Sequence, residues 1–242
     1  MMRFIVLILL LVLFSTSASA QTPPSSPRSR QAIARQRGPL QRQLAARGFA
    51  WGAPLFIRIF KAERILEVWL KTPSGYKRFK SFPICTYGGK GLGPKLRQGD
   101  GKAPEGFYFV TPNRMNPFSR FHLSFNLGYP NPYDRAHGRT GSALMVHGSC
   151  ISIGCFAMTD RSMATIYTLA DAALRNGQPF FRVHIFPFRM SRLNMLRHRK
   201  SPWIGFWRNL KEGHDWFAKH HHTPPNVVLE KSRYCFERSN EI

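Results

Sequence analysis

A histidine and a cysteine eight positions apart are the side chains of this 242-residue sequence best suited to chemistry. His147 is followed directly by Gly148, and Cys155 closes the short sequence Ser152-Ile-Gly154-Cys155. A cysteine thiolate assisted by a histidine base can attack an amide carbonyl and form an acyl-enzyme. Glycine beside the nucleophile lets a carbonyl approach the backbone closely. The N–H groups of Gly154 and Cys155 would then stabilise the oxyanion, so the segment predicts thiol acyl transfer.

Two predicted elements position this pair. The apolar run over residues 143–147 predicts a strand that ends at the histidine. Apolar residues at three- and four-residue spacing predict a helix that begins near Thr159 or Asp160 and stops at Asn176. The short connection between them would bring the two side chains together. Because a thiolate is the attacking species, we expect the pKa of Cys155 to lie below that of a free cysteine.

Other interpretations of these residue types stay open. A histidine and a cysteine in a strand-rich core serve packing more often than catalysis. Cys150 is a second candidate nucleophile, although no glycine precedes it, and His137 is a second candidate base. Arg139 either binds a substrate carboxylate or lies solvated in a loop. The run His220–His222 has no cysteine or carboxylate at metal-ligand spacing, so we predict an exposed polar turn there and no metal site.

The Cys/His segment resembles the catalytic domain of the L,D-transpeptidases (YkuD type), in which a strand-borne His-Gly is followed by Ser-His-Gly-Cys and a helix. It is most similar to an envelope subgroup with the motif His-Gly-x-Cys-x-Ser-x-Gly-Cys. The resemblance covers about residues 54–188. The further blocks that carry it are, in order, Phe82-Pro-Ile-Cys-Thr-Tyr87, Leu92-Gly-Pro-Lys95, Pro104-Glu-Gly-Phe-Tyr108 and Phe125-Asn-Leu-Gly-Tyr-Pro130.

The resemblance implies a peptidoglycan enzyme in which Cys155 is the nucleophile and His147 the general base. The Gly148 carbonyl would orient the imidazole, Ser152 would support the loop, and Gly154 would supply an oxyanion donor. In the family the thiolate attacks the amide at the L-centre of meso-diaminopimelate in a stem peptide, and no metal or organic cofactor is needed. An amine resolves the acyl-enzyme to a 3–3 cross-link or a protein attachment. Water gives hydrolysis, and the similar subgroup releases lipoprotein from peptidoglycan.

Two departures from the family pattern bear on the fate of the acyl-enzyme. Ile153 stands where the family has a second histidine, and the connection between His147 and Cys155 is shorter than in the broad family. The oxyanion therefore depends more on backbone donors. We expect hydrolysis, including release of a protein linked through a lysine amine, to exceed cross-link formation.

The N-terminus predicts export. Arg3 precedes the apolar run over residues 4–14, and Ala18-Ser-Ala20 ends a stretch of small residues before Gln21. This is the pattern of a cleaved signal peptide over residues 1–20. The apolar run is shorter than the roughly 20 residues that a transmembrane helix needs. We therefore expect the mature protein in the periplasm.

Four cysteines would enter this oxidising compartment, where an even number usually means disulfides. If Cys155 is the nucleophile, at most one intramolecular disulfide forms among Cys85, Cys150 and Cys235. The sequence leaves the pairing open.

The chain divides by composition into four parts. After the signal peptide, residues 21–53 are rich in Pro, Ser, Gln and Arg and predict a flexible linker, with at most a short helix around 40–46. Residues 54–188 hold the apolar runs of a catalytic domain. Their glycine-rich stretch 86–106 predicts an active-site rim loop, because it lacks the Gly-Lys-Ser/Thr ending of a nucleotide cradle. Residues 189–242 form a basic, aromatic extension without a clear fold.

These signals predict a β-rich α+β fold with one main helix after the cysteine. Alternating or continuous apolar runs indicate the strands. The resemblance adds the expectation of a β-sandwich or barrel-like domain. The predicted strands span residues 55–60, 65–70, 76–82, 106–111, 121–127, 143–147 and 180–186.

Charge and composition limit the partners. Lys and Arg total 36 against 12 Asp and Glu, which gives a net charge of +24, and 43% of the residues are hydrophobic. So much apolar material excludes a wholly disordered chain, and so much charge predicts an anionic partner. Because the charge is spread over every segment and export is predicted, we expect an anionic envelope surface and no nucleic acid. A non-catalytic cationic protein that binds cell-wall polymer is the alternative, and it would lack a selectively reactive Cys155.

The signal peptide gives the first testable prediction. Because Ala18-Ser-Ala20 follows a short apolar run, the exported protein should begin at Gln21. N-terminal sequencing of material from the cell envelope measures this directly. A chain that retains Met1 would contradict the prediction.

Overall fold

A computed structural model describes residues 21–238 except residues 90 and 221. The signal peptide predicted for residues 1–20 lies outside the described residues. None of the described helices combines the length and the apolar character needed to cross a membrane.

The five described α-helices are α1 Pro27–Ala45, α2 Pro132–Ala136, α3 Asp160–Arg175, α4 Arg192–Arg197 and α5 Ile204–Lys219. The eleven described strands are β1 Leu55–Phe60, β2 Ile65–Thr72, β3 Gly75–Pro83, β4 Gly106–Val110, β5 Met115–Asn116, β6 Ser124–Asn126, β7 Met145–His147, β8 Phe156–Ala157, β9 Phe181–Phe186, β10 Asn226–Glu230 and β11 Arg233–Glu237.

Five strands form the main sheet in the order β3-β2-β1-β9-β4. Its central strand β1 pairs antiparallel with β2 and parallel with β9. Every side chain of β1 is buried, because the sheet is covered on both faces. Leu55, Ile57 and Ile59 enter the larger core together with α3. On the other face, the ring of Phe56 packs 5.1 Å from that of Phe217 in α5.

A smaller sheet with the order β5-β6-β7-β8 carries the Cys/His segment, and β10 and β11 form a separate hairpin. The mixed α+β class is therefore confirmed. The barrel-like alternative is wrong, because all three sheets of the described chain are open. In the main sheet the edge strands β3 and β4 lie at opposite ends and do not pair.

The predicted main helix agrees with α3 in both its start and its end. Thr159 is the N-cap, and its hydroxyl accepts the N–H of Ser162, while Asn176 is the C-cap. The expectation of a single main helix is wrong, since α1 has 19 residues and α5 has 16, as many as α3. Only α3 combines clear caps with a continuous buried face, which is why the sequence showed it.

The segment expected to be a flexible linker is largely helical. α1 begins at Ser26, whose side chain accepts a backbone N–H of the first turn. Leu40 and Leu44 are buried in the same core as α3, and the Thr165 hydroxyl donates to the side-chain oxygen of Gln36. The composition hid this helix because few apolar residues stand among its Arg and Gln. Packing on α3, which no local pattern reports, is what stabilises such a helix.

The C-terminal extension covers the second face of the main sheet. Trp207 and Phe217 of α5 are buried, and Trp207 belongs to one apolar cluster with Phe60 of β1 and Phe186 of β9. The second face of the main sheet would otherwise expose these rings to water. The extension therefore completes the fold.

Lys61 and Glu105 form an ion pair that is fully buried. Lys61 Nζ lies 2.9 Å from Glu105 Oε1 and also donates to the carbonyl oxygens of Gly93 and Ala103, at 2.9 and 3.0 Å. Glu105 in turn accepts the N–H of Gly93 at 2.7 Å and the indole N–H of Trp207 at 2.8 Å. Burial lowers the pKa of Lys61, and the charge of Glu105 opposes that effect. The pair connects the end of β1, the glycine-rich loop and α5.

Replacing Glu105 by Gln should lower the free energy of unfolding by about 3–5 kcal/mol, because Lys61 would stay buried without its counter-ion. Urea denaturation followed by circular dichroism measures the change. Glu212, which pairs with Arg233 at an exposed position, provides the matched control. Glu212→Gln should change the same free energy by less than about 1 kcal/mol. Equal effects of the two substitutions would show that burial of the pair does not matter.

Candidate active site

Two short parallel strands set the positions of His147 and Cys155. β7 pairs with β8 so that Val146 lies beside Phe156 and His147 beside Ala157. Successive side chains of a strand point to opposite faces. Val146 and Phe156 therefore enter the core, where both are fully buried. Cys155 directly precedes β8 and, by the same alternation, lies on the face of His147, diagonal to it across the strand pair. The register therefore places the two side chains that the sequence singled out on one face of the small sheet.

The ring of His147 is buried and held by the residue after it. Its Nδ1 lies 2.6 Å from the carbonyl oxygen of Gly148. Because a carbonyl only accepts, Nδ1 carries the proton, and Nε2 of the neutral ring is left as the base. Phe121 packs on the ring with 4.8 Å between centroids. Burial lowers the pKa of His147 and outweighs the hydrogen bond to Gly148, so the imidazole is neutral at neutral pH.

Gly148 occupies a position that has no room for a side chain. A Cβ atom there would lie 2.5 Å from Oδ1 of Asp160 and 2.9 Å from Cβ of His122. The same Asp160 oxygen accepts the N–H of Ser149 at 2.7 Å. The first residue of α3 thus packs directly on the turn that follows His147. This contact fixes the carbonyl that orients the imidazole.

Ser152 holds the backbone ahead of the cysteine. Its Oγ accepts the N–H of Gly154 at 3.1 Å and that of Cys155 at 2.7 Å. Ser152 does support the loop, but the two N–H groups expected to point at an oxyanion donate to its hydroxyl in this structure. The physical reason is that an N–H shielded from water needs an acceptor, and a serine hydroxyl two or three residues earlier supplies one.

Cys155 is half-buried, and its thiol keeps its proton. Sγ accepts the N–H of Met145 at 3.4 Å and lies 3.7 Å from the carbonyl oxygen of Ala143, to which the thiol donates. Burial raises the pKa of Cys155, and the Met145 N–H, the Ser152 hydroxyl and the charge of Lys95 offset only part of the rise. The expectation of a lowered pKa is therefore wrong, because desolvation of the thiolate is the largest effect.

A disulfide between Cys85 and Cys150 anchors the loop that leads to the nucleophile, with 5.1 Å between the two Cα atoms. Cys150 also donates its N–H to the carbonyl of Met158 at 3.1 Å. The sulfur of Cys150 is bonded to that of Cys85, so Cys150 is no longer a candidate nucleophile. Cys155 and Cys235 keep free thiols. The structure thereby assigns the pairing that the sequence left open.

Arg139 and His137 do not line the site. The Arg139 guanidinium is buried and pairs with Asp134 at 2.8 Å, and it lies 4.8 Å from the ring of Phe206. The ring of His137 stacks on Tyr133 at 4.0 Å between centroids. Both alternatives for Arg139 are therefore wrong: its charge is neutralised inside the protein by Asp134 and does not bind a substrate carboxylate, and its side chain is buried and not solvated in a loop. His137 is likewise no rival base.

A cleft with a volume of about 630 Å³ opens beside Cys155. The glycine-rich loop forms one wall, as expected of a rim loop. Gly88 has a left-handed φ of +88°, and a Cβ there would lie 2.4 Å from the carbonyl oxygen of Gly101, so the loop folds back closely on itself. The lining residues are Gly88, Gly89, Lys95, Gln98, Gly99, Gly101, Ser142, Ala143, Leu144, Ser152, Ile153, Gly154 and Cys155.

Lys95 carries the one positive charge among the described lining residues of this cleft. Its Nζ lies 2.7 Å from Oδ1 of Asp100. Burial alone would raise the pKa of Asp100, but hydrogen bonds from Lys95 and from three backbone N–H groups lower it to about 2. The carboxylate therefore stays ionised and holds the lysine at the cleft. Sequence reasoning missed Lys95, although a lysine and an aspartate five residues apart in a glycine-rich loop were a usable signal.

The described residues contain no group of three His, Cys, Asp or Glu side chains that could hold a metal ion. In the polyhistidine run, the ring of His220 stacks on Trp216 with 4.0 Å between centroids.

Comparison with known proteins places this geometry in a family context. Residues 55–185, more than half of the chain, match the sequence model of the L,D-transpeptidase catalytic domain (YkuD). Over 193 residues the chain is 47% identical to YafK of Escherichia coli K12, an L,D-transpeptidase by name, covering 79% of this chain and 78% of YafK.

Two solved structures show a more distant likeness. The helical cell shape determining protein Pgp2 of Campylobacter jejuni has 17% identity and a TM-score of 0.45, over 83% of this chain and 84% of Pgp2. Bd1075 of Bdellovibrio bacteriovorus has 22% identity and a TM-score of 0.42, over 70% of this chain and 61% of Bd1075.

The raised pKa of Cys155 can be measured by alkylation. Iodoacetamide reacts with the thiolate, so the rate at Cys155 should rise with pH and reach its midpoint above the roughly 8.5 of a free cysteine. Mass spectrometry of the tryptic peptide follows the rate. A Cys235→Ala variant leaves Cys155 as the single free thiol and should give the same midpoint. A midpoint well below that of free cysteine would contradict the structure.

Proposed function

Because the chain belongs to the L,D-transpeptidase family of peptidoglycan enzymes, we propose that it is an exported cysteine acyltransferase that opens the amide at the L-centre of meso-diaminopimelate in stem peptides. Cys155 is the nucleophile and His147 the general base. The observation that carries this proposal is the register of β7 and β8, which places His147 and the residue just before β8, Cys155, on one face of the small sheet. Cys155 also lines the cleft of about 630 Å³.

The first half of the reaction forms a thioester. Nε2 of His147 takes the thiol proton of Cys155 as the sulfur attacks the amide carbon, and the carbonyl oxygen becomes an oxyanion. The C–N bond then breaks, and the imidazolium returns its proton to the departing amine. A neutral imidazole and a protonated thiol are the starting states that this transfer requires. The directions of the two pKa shifts provide both of them.

Oxyanion stabilisation is assigned to the loop before the cysteine. The N–H groups of Gly154 and Cys155 already converge on one oxygen, the Oγ of Ser152. In the reaction these two N–H groups turn from Ser152 toward the substrate, and the oxyanion becomes their acceptor. A preorganised oxyanion donor accounts for about 10²–10³-fold in rate, and donors that must first leave Ser152 contribute less than that.

Lys95 shapes the wall of the cleft beside Cys155. Its side chain is buried, lies 2.7 Å from Asp100 Oδ1 and donates to the carbonyl oxygen of Arg97 at 2.9 Å. Like Arg139, it is paired inside the protein, so we assign it the positioning of the glycine-rich loop and not the binding of a substrate carboxylate.

The second half of the reaction decides the product, and we assign it to water. Ile153 lines the cleft next to the nucleophile and is 89% exposed. An apolar side chain at this point offers no hydrogen bond that would orient an incoming amine. Water attacks the thioester carbon as His147 takes its proton. The C–S bond then breaks, and the imidazolium returns that proton to Sγ of Cys155. Hydrolysis, including release of a lipoprotein joined through a lysine amine, therefore exceeds 3–3 cross-linking.

This function places the protein in the periplasm, in contact with peptidoglycan and with anionic surfaces of the envelope that suit its charge of +24. The alternative, a non-catalytic protein that holds cell-wall polymer, leaves the free thiol of Cys155 at the cleft without a use.

The decisive experiment uses sacculi that carry a covalently attached lipoprotein. Free lipoprotein and 3–3 cross-linked dimers are quantified together by immunoblotting and by mass spectrometry of muropeptides. The protein should release lipoprotein in excess over new dimers. Cys155→Ala should abolish both products, and His147→Ala should reduce both by about 10²–10⁴-fold, the usual range of general-base assistance.

Matched variants separate catalysis from damage to the fold. Cys235→Ala removes the other free thiol, and His137→Ala removes a histidine outside the cleft; both should retain most of the activity. Turnover by Cys155→Ala would disprove the mechanism. Accumulation of dimers without lipoprotein release would overturn the hydrolytic assignment and leave the transpeptidase one.

A further inference from the structure

The short helix α4 exposes two leucines on the surface of the protein. Leu193 is 55% exposed and Leu196 57%, and no residue of α4 is buried. Arg192, Arg197, Arg199 and Lys200 surround them and are all exposed. We call these six residues the α4 patch. Single exposed apolar side chains are common on protein surfaces, whereas adjacent ones rimmed by polar residues are typical of interaction surfaces.

Helix geometry places the leucines at the centre of the outer face. Residues of an α-helix follow each other by about 100°, so Leu193 and Leu196 point about 60° apart, and Arg192 and Arg197 flank them by about 40° on either side. Met195 points away from this face and packs on the apolar cluster that contains Phe60, Phe186 and Trp207. The outer face of α4 is therefore two leucines between two arginines.

This face is held in place by the protein. Ser191 caps α4 by accepting the N–H of Asn194, and the Asn194 side chain donates to the carbonyl of Arg189 at 2.8 Å. Just after the helix, the ring of His198 stacks on Phe188 with 4.5 Å between centroids. A partner would thus meet a preformed surface and would not need to order it, which lowers the cost of binding.

The charge of the α4 patch is uncompensated. From Arg189 to Lys211 the sequence has seven Lys and Arg and no Asp or Glu. Among the described residues, no carboxylate lies within ion-pair distance of the four cations of the patch. Arg197 and Arg199 donate instead to the side chain of Asn194 and the carbonyl of Leu196. These cations are therefore available to an anionic partner.

We propose that the α4 patch docks the protein on an anionic phospholipid bilayer. The two leucines enter the boundary between headgroups and acyl chains, and the flanking arginines bind lipid phosphates while their stems cover apolar surface. A polyanion such as an acidic polysaccharide would satisfy the cations but would leave the leucines in water. A lipid surface satisfies both features of the patch. The proposal does not depend on the reaction assigned to Cys155.

Vesicle sedimentation tests the proposal on the exported protein. The protein should bind vesicles of equal parts phosphatidylglycerol and phosphatidylcholine, and should bind phosphatidylcholine vesicles at least tenfold more weakly. Leu193→Ser/Leu196→Ser should lower binding to the anionic vesicles by about tenfold, since apolar insertion is lost. Arg192→Gln/Arg197→Gln should lower it by about tenfold or more, since each basic residue near the surface adds to the attraction.

Matched controls keep the test decisive. Arg35→Gln/Arg42→Gln removes the same net charge from exposed positions on α1 and should leave vesicle binding within about twofold of the original. Because all substituted side chains are exposed, thermal denaturation should show unchanged folding for each variant. If the leucine variant binds as well as the original protein, the α4 patch binds a polyanion and not a bilayer. If the α1 control loses as much binding as the α4 arginine variant, net charge alone explains the binding. Either result, or no binding to anionic vesicles, overturns the proposal.

Discussion

A lysine and a glutamate buried together impose the strongest constraint on this fold. Neither Lys61 nor Glu105 touches water, so every remaining donor and acceptor of the pair must be satisfied by the protein. The backbone of Gly93 and Ala103, both in the glycine-rich stretch, and the indole of Trp207 in α5 do this. The rim of the cleft and the C-terminal helix are thereby fixed to the same sheet, which gives the glycine-rich loop one defined path past the nucleophile.

The polar groups of the loop between His147 and Cys155 are likewise paired within the protein. Cys150 is held by its disulfide. Ser152 accepts two backbone N–H groups, and Asp160 accepts the N–H of Ser149 in the turn after His147. Few backbone groups of this loop are left unpaired. This order has a chemical cost, because burial favours the neutral thiol of Cys155. His147 and Cys155 are therefore both uncharged at neutral pH, which is the starting state that the proposed proton transfer requires.

The basic charge of the chain separates into two populations. Cations inside the protein are neutralised where they lie, as Lys61 is by Glu105 and Arg139 by Asp134. They hold structure and are closed to partners. The surplus lies outside, on α1, on α4 and along the extension, where it faces an anionic environment. Net charge alone could not distinguish these two populations, since burial and pairing decide which cations remain free.

Local patterns in the sequence determined the strands of the main sheet, the limits of α3, and the Cys/His segment with its family, because alternation, caps and a short motif are properties of neighbouring residues. Only the tertiary structure decided the rest. Packing on α3 stabilises α1 within a polar stretch of the sequence. The path of the chain brings Cys85 next to Cys150, so these two cysteines form the disulfide. Contacts distant in sequence bury Arg139 against Asp134 and raise the pKa of Cys155. Desolvation and pairing depend on what surrounds a side chain in space, and a linear sequence does not show those neighbours.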